Sequence, residues 1–214
     1  VIYCNKIEPN RKWKNKLNKY KKIFLDSKPI NFRGNFTYIN FSILQKLNSL
    51  NPDVLIINGN SFPMILSFFW AKILKKKVIS TSDTSINSEK KKKLNLFQIL
   101  IRKLIYSKFD AYICTSKKNI LLYKKYGANK NFFFSPLAVD KIKIPNINRN
   151  YDVILCGRFI KSKLFNFAIE VLNKVNKIMK IKVKIVGYGP LKNEIINLIK
   201  SKNISYVLKE SVPP

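Results

Sequence analysis

Short apolar runs alternate along the chain with longer stretches in which apolar residues return every three or four positions. Runs at 1–4, 54–58, 77–81, 111–115, 132–135, 153–156, 182–186 and 205–208 are bounded by turn residues and predict strands. The longer pattern predicts helices over 40–50, 63–75, 92–106, 117–126, 163–180 and 191–202. Strands and helices that take turns in this way predict an α/β fold, a parallel sheet covered by helices. The connector "KIKIPNINRN", 141–150, follows neither period and carries Pro and several Asn. It predicts a boundary between a first α/β domain, 1–140, and a second, partial one, 151–214. Half a doubly wound sheet is expected to leave apolar faces exposed. Both ends read as interior positions, so a piece of a longer reading frame is expected.

Composition supports a packed core. The 214 residues are 46% hydrophobic and 13% aromatic. Charge changes the picture less than its size suggests. The formal net charge is +31, yet only five of the 42 basic residues are Arg, and the lysines are scattered over the whole chain. Lys, Asn, Ile and Phe are the residues of A/T-rich codons, whereas a nucleic-acid binder gathers Arg and Lys on one face. Nucleic acid is therefore not the expected partner, and the few arginines carry more information than the many lysines. Cys4, Cys114 and Cys156 each sit in a strand-like apolar run without paired spacing, which predicts buried thiols in a reducing, cytoplasmic compartment. The chain has no His, which excludes a Ser or Cys nucleophile served by His. The longest apolar run, "FPMILSFFWAKIL", is too short to span a bilayer and contains Lys72.

Candidate chemistry lies in "VILCGRFIKSKLFNFAIE", 153–170, where a buried-type strand ends at Gly157 and cations follow at Arg158, Lys161 and Lys163. In an open parallel sheet, ligands bind beyond the carboxyl ends of the strands, where loop amides and helix N-termini point at anions. Gly157 is expected to allow a tight turn, with Arg158 and Lys163 at the start of the next helix, an arrangement that suits a diphosphate. The following unit, "VKIVGYGPLKNEI", has the same design with Gly187, Gly189, Pro190 and then a helix bearing Glu194. Either turn alone is an ordinary strand-to-helix connection with a solvated cation. Two in successive units are the stronger signal.

The segments "FDAYICTSKKNILLYKKYGANKNFFFSPLAVD", "CGRFIKSKLFNFAIE" and "VKIVGYGPLKNEI", with "LNPDVLIINGN" upstream, resemble the middle of a glycosyltransferase of family 4, over roughly 50–208. The resemblance implies the GT-B fold, two Rossmann-like domains with a cleft between them. It also implies a nucleotide-sugar donor on the second domain, a glycan or lipid-linked acceptor on the first, and retention of anomeric configuration. It assigns the donor diphosphate to Arg158 and Lys163, with Gly157, Gly187 and Gly189 on the donor side. No metal or other cofactor is then required, since fixed cations can stabilise the charge that develops on the leaving diphosphate. The family has Gly after that Lys, where this chain has Leu164, so the helix entry is expected to differ. The family's downstream paired glutamates, its first Gly-rich loop and its first-domain His are not in the sequence, so this piece alone is expected to be inactive.

Weaker acceptor-side candidates are Asp83 in "STSDTS", which could bind hydroxyls but more ordinarily caps a helix, Arg11 and Trp13 in "EPNRKW", and Arg33 in "NFRGNF". Asp140 is expected to brace the linker. The helix "KKLNLFQILIRKLIY" has an apolar stripe flanked by Lys and Arg. It suits peripheral docking on an anionic membrane surface, although a core-facing stripe with a wet basic face is the more ordinary arrangement. The leading expectation is a transferase of surface-glycan synthesis. The alternatives are a non-catalytic nucleotide- or partner-binding remnant and, third, an RNA-binding protein with steep salt dependence.

Overall fold

A computed structural model of the chain describes residues 1–4, 21–32, 35–90, 94–138 and 148–210. It divides into two compact units, Val1–Lys141 and Ile142–Pro214.

Unit 1 opens with a short parallel pair, β1 (Ile2–Tyr3) and β2 (Ile23–Phe24), and an antiparallel hairpin, β3 (Pro29–Phe32) and β4 (Asn35–Tyr38). Helix α1 (Ser42–Leu50) leads into the main sheet, β5 (Val54–Asn58), β6 (Lys77–Ser82), β7 (Ala111–Cys114) and β8 (Phe132–Phe134), in that spatial order and all parallel. The crossovers are α2 (Phe62–Ile73), then α3 (Ile86–Lys90) with α4 (Leu96–Tyr106), then α5 (Lys117–Lys125). The core joins Ile57, Val78, Tyr112 and Cys114 of the strands to Phe68 and Ala71 of α2 and to Leu122 and Tyr123 of α5. Its aromatic centre is edge-packed, with ring centroids 4.8 Å apart for Tyr112 and Tyr123 and 5.1 Å for Tyr106 and Tyr123.

Unit 2 is a parallel sheet of β9 (Val153–Cys156), β10 (Lys182–Val186) and β11 (Ser205–Lys209), ordered β11-β10-β9. Helices α6 (Phe165–Ile178) and α7 (Lys192–Ser201) connect them. Strands added in sequence through right-handed crossovers place both helices on one face. Accordingly Val183 and Ile185 are buried beneath Phe165, Ile169, Leu172, Ile195 and Ile199. On the other face Ile154, Cys156 and Val207 are exposed, as expected of part of a doubly wound sheet.

Several expectations change. The hairpin β3–β4 was not legible, and the stretch after β6 contains α3, which the spacing did not predict. Helix α4 begins at Leu96 rather than at 92, because Asn95 caps it. The Asn95 side chain accepts from the Gln98 amide at 2.8 Å and the Gln98 side chain accepts from the Asn95 amide at 3.2 Å, a reciprocal capping box. The wet basic face expected of this helix is not there, since its outward side carries leucines and a phenylalanine. Of the cysteines only Cys114 is buried, which pushes its thiol up to about 11, while Cys4 is half-buried and Cys156 exposed. Cys156 points to the uncovered face of its strand.

The segment holding α3 is tied down by an acid. Glu89, 2% exposed, accepts from Lys125 Nζ at 2.6 Å, from the Tyr126 hydroxyl at 3.0 Å, and from Arg102 Nη1. One carboxylate thus binds α3 to α4 and α5. Burial alone would raise the Glu89 carboxyl, but the hydrogen bonds from Lys125 and Tyr126 and the charges of Arg102 and Lys125 hold it below the ordinary glutamate value. A depressed folded-state value contributes stability at neutral pH that is lost as pH falls through it. Glu89→Gln is therefore expected to cost about 3 kcal/mol at pH 7, because it leaves buried cationic partners uncompensated. The gap between variant and parent should narrow as pH drops below about 4, measured by denaturant unfolding across pH; a gap independent of pH would contradict the assignment.

Candidate functional site

The candidate site is built where β9 and β10 end. After Cys156 the backbone continues beside the β10 loop in an extended rail. The Gly157 amide donates to the Val186 carbonyl at 3.0 Å, the Phe159 amide to the Tyr188 carbonyl at 2.8 Å, and the Leu191 amide back to the Phe159 carbonyl at 3.1 Å. Phe159 turns inward, fully buried, and packs edge-on against Phe165 at 5.0 Å. In extended backbone the side chain before it must face the other way. Arg158 is accordingly exposed at the rim.

The glycines differ from the expectation drawn from the sequence. Gly157 does not need glycine's conformational freedom, and a Cβ there would meet only ordinary contacts, at 3.6 Å from Phe165 Cε2 and 3.9 Å from Lys163 Cγ. Those contacts show that the Lys163 stem lies across Gly157, beside Arg158. Gly187 and Gly189 are required for close approach. A Cβ on Gly187 would stand 1.9 Å from the Gly157 carbonyl oxygen, and one on Gly189 2.6 Å from that of Phe159. The amides of Gly157 and Gly187 are engaged by the carbonyls of Val186 and Lys209, each at 3.0 Å. These two positions offer a ligand space, and the donors must come from elsewhere.

Lys163 does not open the helix as expected. Residues Lys161–Lys163 form a single 3-10 turn, and Leu164 follows in the left-handed conformation, φ 53° and ψ 35°, before α6 begins. The glycine that the resembled family carries here would adopt that backbone freely. Leu164 keeps the same backbone under strain, so the helix entry does not differ in the way its side chain suggested. No side chain caps the start of α6, so its first-turn amides and dipole are open to an anion. Arg158 and Lys163 are both exposed, and among the described residues no carboxylate pairs with either. Nearby cations are tied instead: Lys192 to Glu210, and Lys202 to Glu170 at 2.9 Å. Glu194, exposed, accepts from Asn166 at 2.5 Å and links the two helices.

In unit 1, Asp83 lies exposed just past the carboxyl end of β6. It does not cap the next helix. That role falls to Ser85, whose hydroxyl accepts from the Ser88 amide at 3.2 Å while the Ser88 hydroxyl accepts from the Ser85 amide at 2.9 Å. Among the described residues the Asp83 carboxylate has no partner. Arg11, Trp13, Arg33 and Asp140 lie outside the described residues.

Comparison with solved structures identifies the architecture as the GT-B type. The pneumococcal O-GlcNAc transferase GtfA, solved with UDP and GlcNAc, matches at a TM-score of 0.59 and 16% identity, over 86% of this chain and 40% of its own. A variant of S. aureus TarM, solved with UDP, an α-GlcNAc-glycerol and fondaparinux, matches at 0.56 and 18% identity, over 84% of this chain and 38% of its own. A UDP-N-acetylglucosamine 2-epimerase matches at 0.50 and 11% identity, over 79% of this chain and 48% of its own. The chain thus spans about two fifths of the length of the two transferases. No protein-family model and no curated protein matches the sequence.

Two substitutions test this construction by denaturant unfolding. Leu164→Gly relieves the left-handed strain at an exposed side chain and is expected to stabilise the chain by up to about 1 kcal/mol, part of the gain being offset by the freer unfolded chain. Gly187→Ala forces the two rim loops apart and should destabilise it by at least about 2 kcal/mol. A neutral Gly187→Ala would mean that the loops do not touch.

Proposed function

We propose that the chain is the nucleotide-sugar-binding part of a glycosyltransferase, with Arg158, Lys163 and the uncapped start of α6 holding the donor diphosphate. The observation that carries this is a pair of uncompensated cations on one braced turn, at the carboxyl rim of a parallel sheet. Leaving two cations without a carboxylate in reach keeps them available to an external anion. The fold shared with UDP-bound proteins supports a nucleoside diphosphate as that anion.

As the glycosyl bond breaks, negative charge grows on the departing diphosphate. The Arg158 guanidinium can take two oxygens in fork geometry, and Lys163 supplies a compact charge beside it. Because the turn is fixed before the ligand arrives, the stabilisation needs little reorganisation and favours the transition state over the ground state. Retention of configuration, membership of family 4, hexosyl transfer and a place in surface-glycan synthesis are the finer parts of this reading, and they rest on the sequence resemblance. Asp83 remains the acceptor-side candidate in unit 1.

The likeness to a 2-epimerase supports a second reading, in which the same rim holds a nucleotide sugar whose own ring is altered and no acceptor is used. A nucleotide-binding remnant without turnover is the third. Titration of UDP into the chain tests the shared premise. Arg158→Ala should weaken binding by about 10- to 100-fold, the range of a lost charge-assisted contact, and Lys163→Ala should do so less. Equal affinity in parent and Arg158→Ala would remove the assigned role. Sugar transfer that depends on an added glycan or glycolipid acceptor supports the transferase, and acceptor-independent conversion of the donor supports the epimerase.

A further inference from the structure

Helix α4 carries apolar side chains on two opposite sides. Its inner side is accounted for: Ile105 and Tyr106 are buried, Ile101 packs against the core, and Arg102 is turned onto Glu89. Winding the helix at about 100° per residue puts Leu96, Phe97, Leu100 and Leu104 in one arc of about 100° on the outer side. They are 79%, 70%, 63% and 51% exposed. Four large apolar side chains on one outer helix face make a patch that a soluble surface ordinarily avoids.

The surroundings of this patch are cationic. Lys90, Lys103 and Lys108 are exposed. Glu89, the acid at this end of the unit, is buried and already neutralised by Arg102 and Lys125. In the sequence the helix follows closely on four consecutive lysines, 90–93. The capping box fixes the helix start from within the chain, so the apolar face is formed before any partner arrives. The helix has 11 residues, hence a length of about 16 Å, against a bilayer hydrocarbon core of about 30 Å. Among the described residues no helix is long and apolar enough to cross a membrane. A short helix with an apolar face edged by lysines suits the plane of an anionic lipid surface. A second copy of this chain would satisfy the apolar side chains but would set two molecules of formal charge +31 against each other.

We infer that α4 docks unit 1 on an anionic lipid bilayer, with Leu96, Phe97, Leu100 and Leu104 among the acyl chains and Lys90, Lys103 and Lys108 at the lipid phosphates. The inference does not depend on the proposed transferase activity, and its test requires no turnover.

The test uses the full chain and vesicles of phosphatidylcholine with or without phosphatidylglycerol. A Phe97→Trp reporter, read against the parent to remove the native tryptophans, should shift to the blue and be quenched by lipids brominated along the acyl chain, with the anionic vesicles alone. Replacing Leu96, Leu100 and Leu104 together by Ser should lower the partition coefficient at least about tenfold at fixed salt, with the far-ultraviolet dichroism unchanged. Should that variant lose its helical signal, Leu96→Ser alone, at the most exposed of these positions, carries the same comparison. Equal partition of parent and serine variant would mean that charge alone holds the protein to lipid, and would overturn the inference. So would a reporter that does not shift, or self-association in sedimentation that the serine changes abolish.

Discussion

Two loops of unit 2 touch backbone to backbone, and the candidate site depends on that contact. Gly187 and Gly189 bring the end of β10 so close to Gly157 and Phe159 that no side chain could stand between them. With the loops in register, Phe159 has one place to go, into the core against Phe165, and the alternation of an extended chain then decides the direction of Arg158. Lys163 is brought back over Gly157 by the 3-10 turn that ends in Leu164. The position of both cations is thus a consequence of packing beneath them. Neither is held by an ion pair of its own.

The alternation of strands and helices was legible in the sequence because each of the main strands is a short apolar run and each of the longer helices shows its period. The hairpin of Pro29–Phe32 and Asn35–Tyr38 was not, since Asn31 and Thr37 break the apolar pattern and only two residues separate the strands. Helix α3 is five residues long, too short for any period to register. The start of α4 was set too early because lysines favour helix, whereas the Asn95 cap is what ends the preceding segment.

For the candidate site, the order strand, glycine, arginine, lysine was enough to put Arg158 and Lys163 at the end of β9. The reason for Gly187 and Gly189 was not readable, because it lies in contact between neighbouring strands. The left-handed backbone at Leu164 was hidden by a residue that rarely adopts it. The Glu89 network was missed because an acid at the head of a lysine run reads as solvated. Its partners, Arg102, Lys125 and Tyr126, become neighbours only through the fold. Periodicity was equally silent about which side of α4 faces the core, since apolar residues at 96, 97, 100, 101, 104 and 105 encircle much of the helix.

With eleven acids among 42 bases, the carboxylate is the scarce partner in this protein. Where one stands, it gathers several cations, as Glu89 does with Arg102 and Lys125, and Asp110 with Lys72 at 2.7 Å and Lys77 at 3.7 Å. The map of acids therefore determines which positive groups are immobilised and which stay at the disposal of something outside the chain. A drift toward lysine can proceed widely over such a molecule with little effect on what it binds, whereas a single new aspartate or glutamate near the end of β9 would occupy the recognition groups from within.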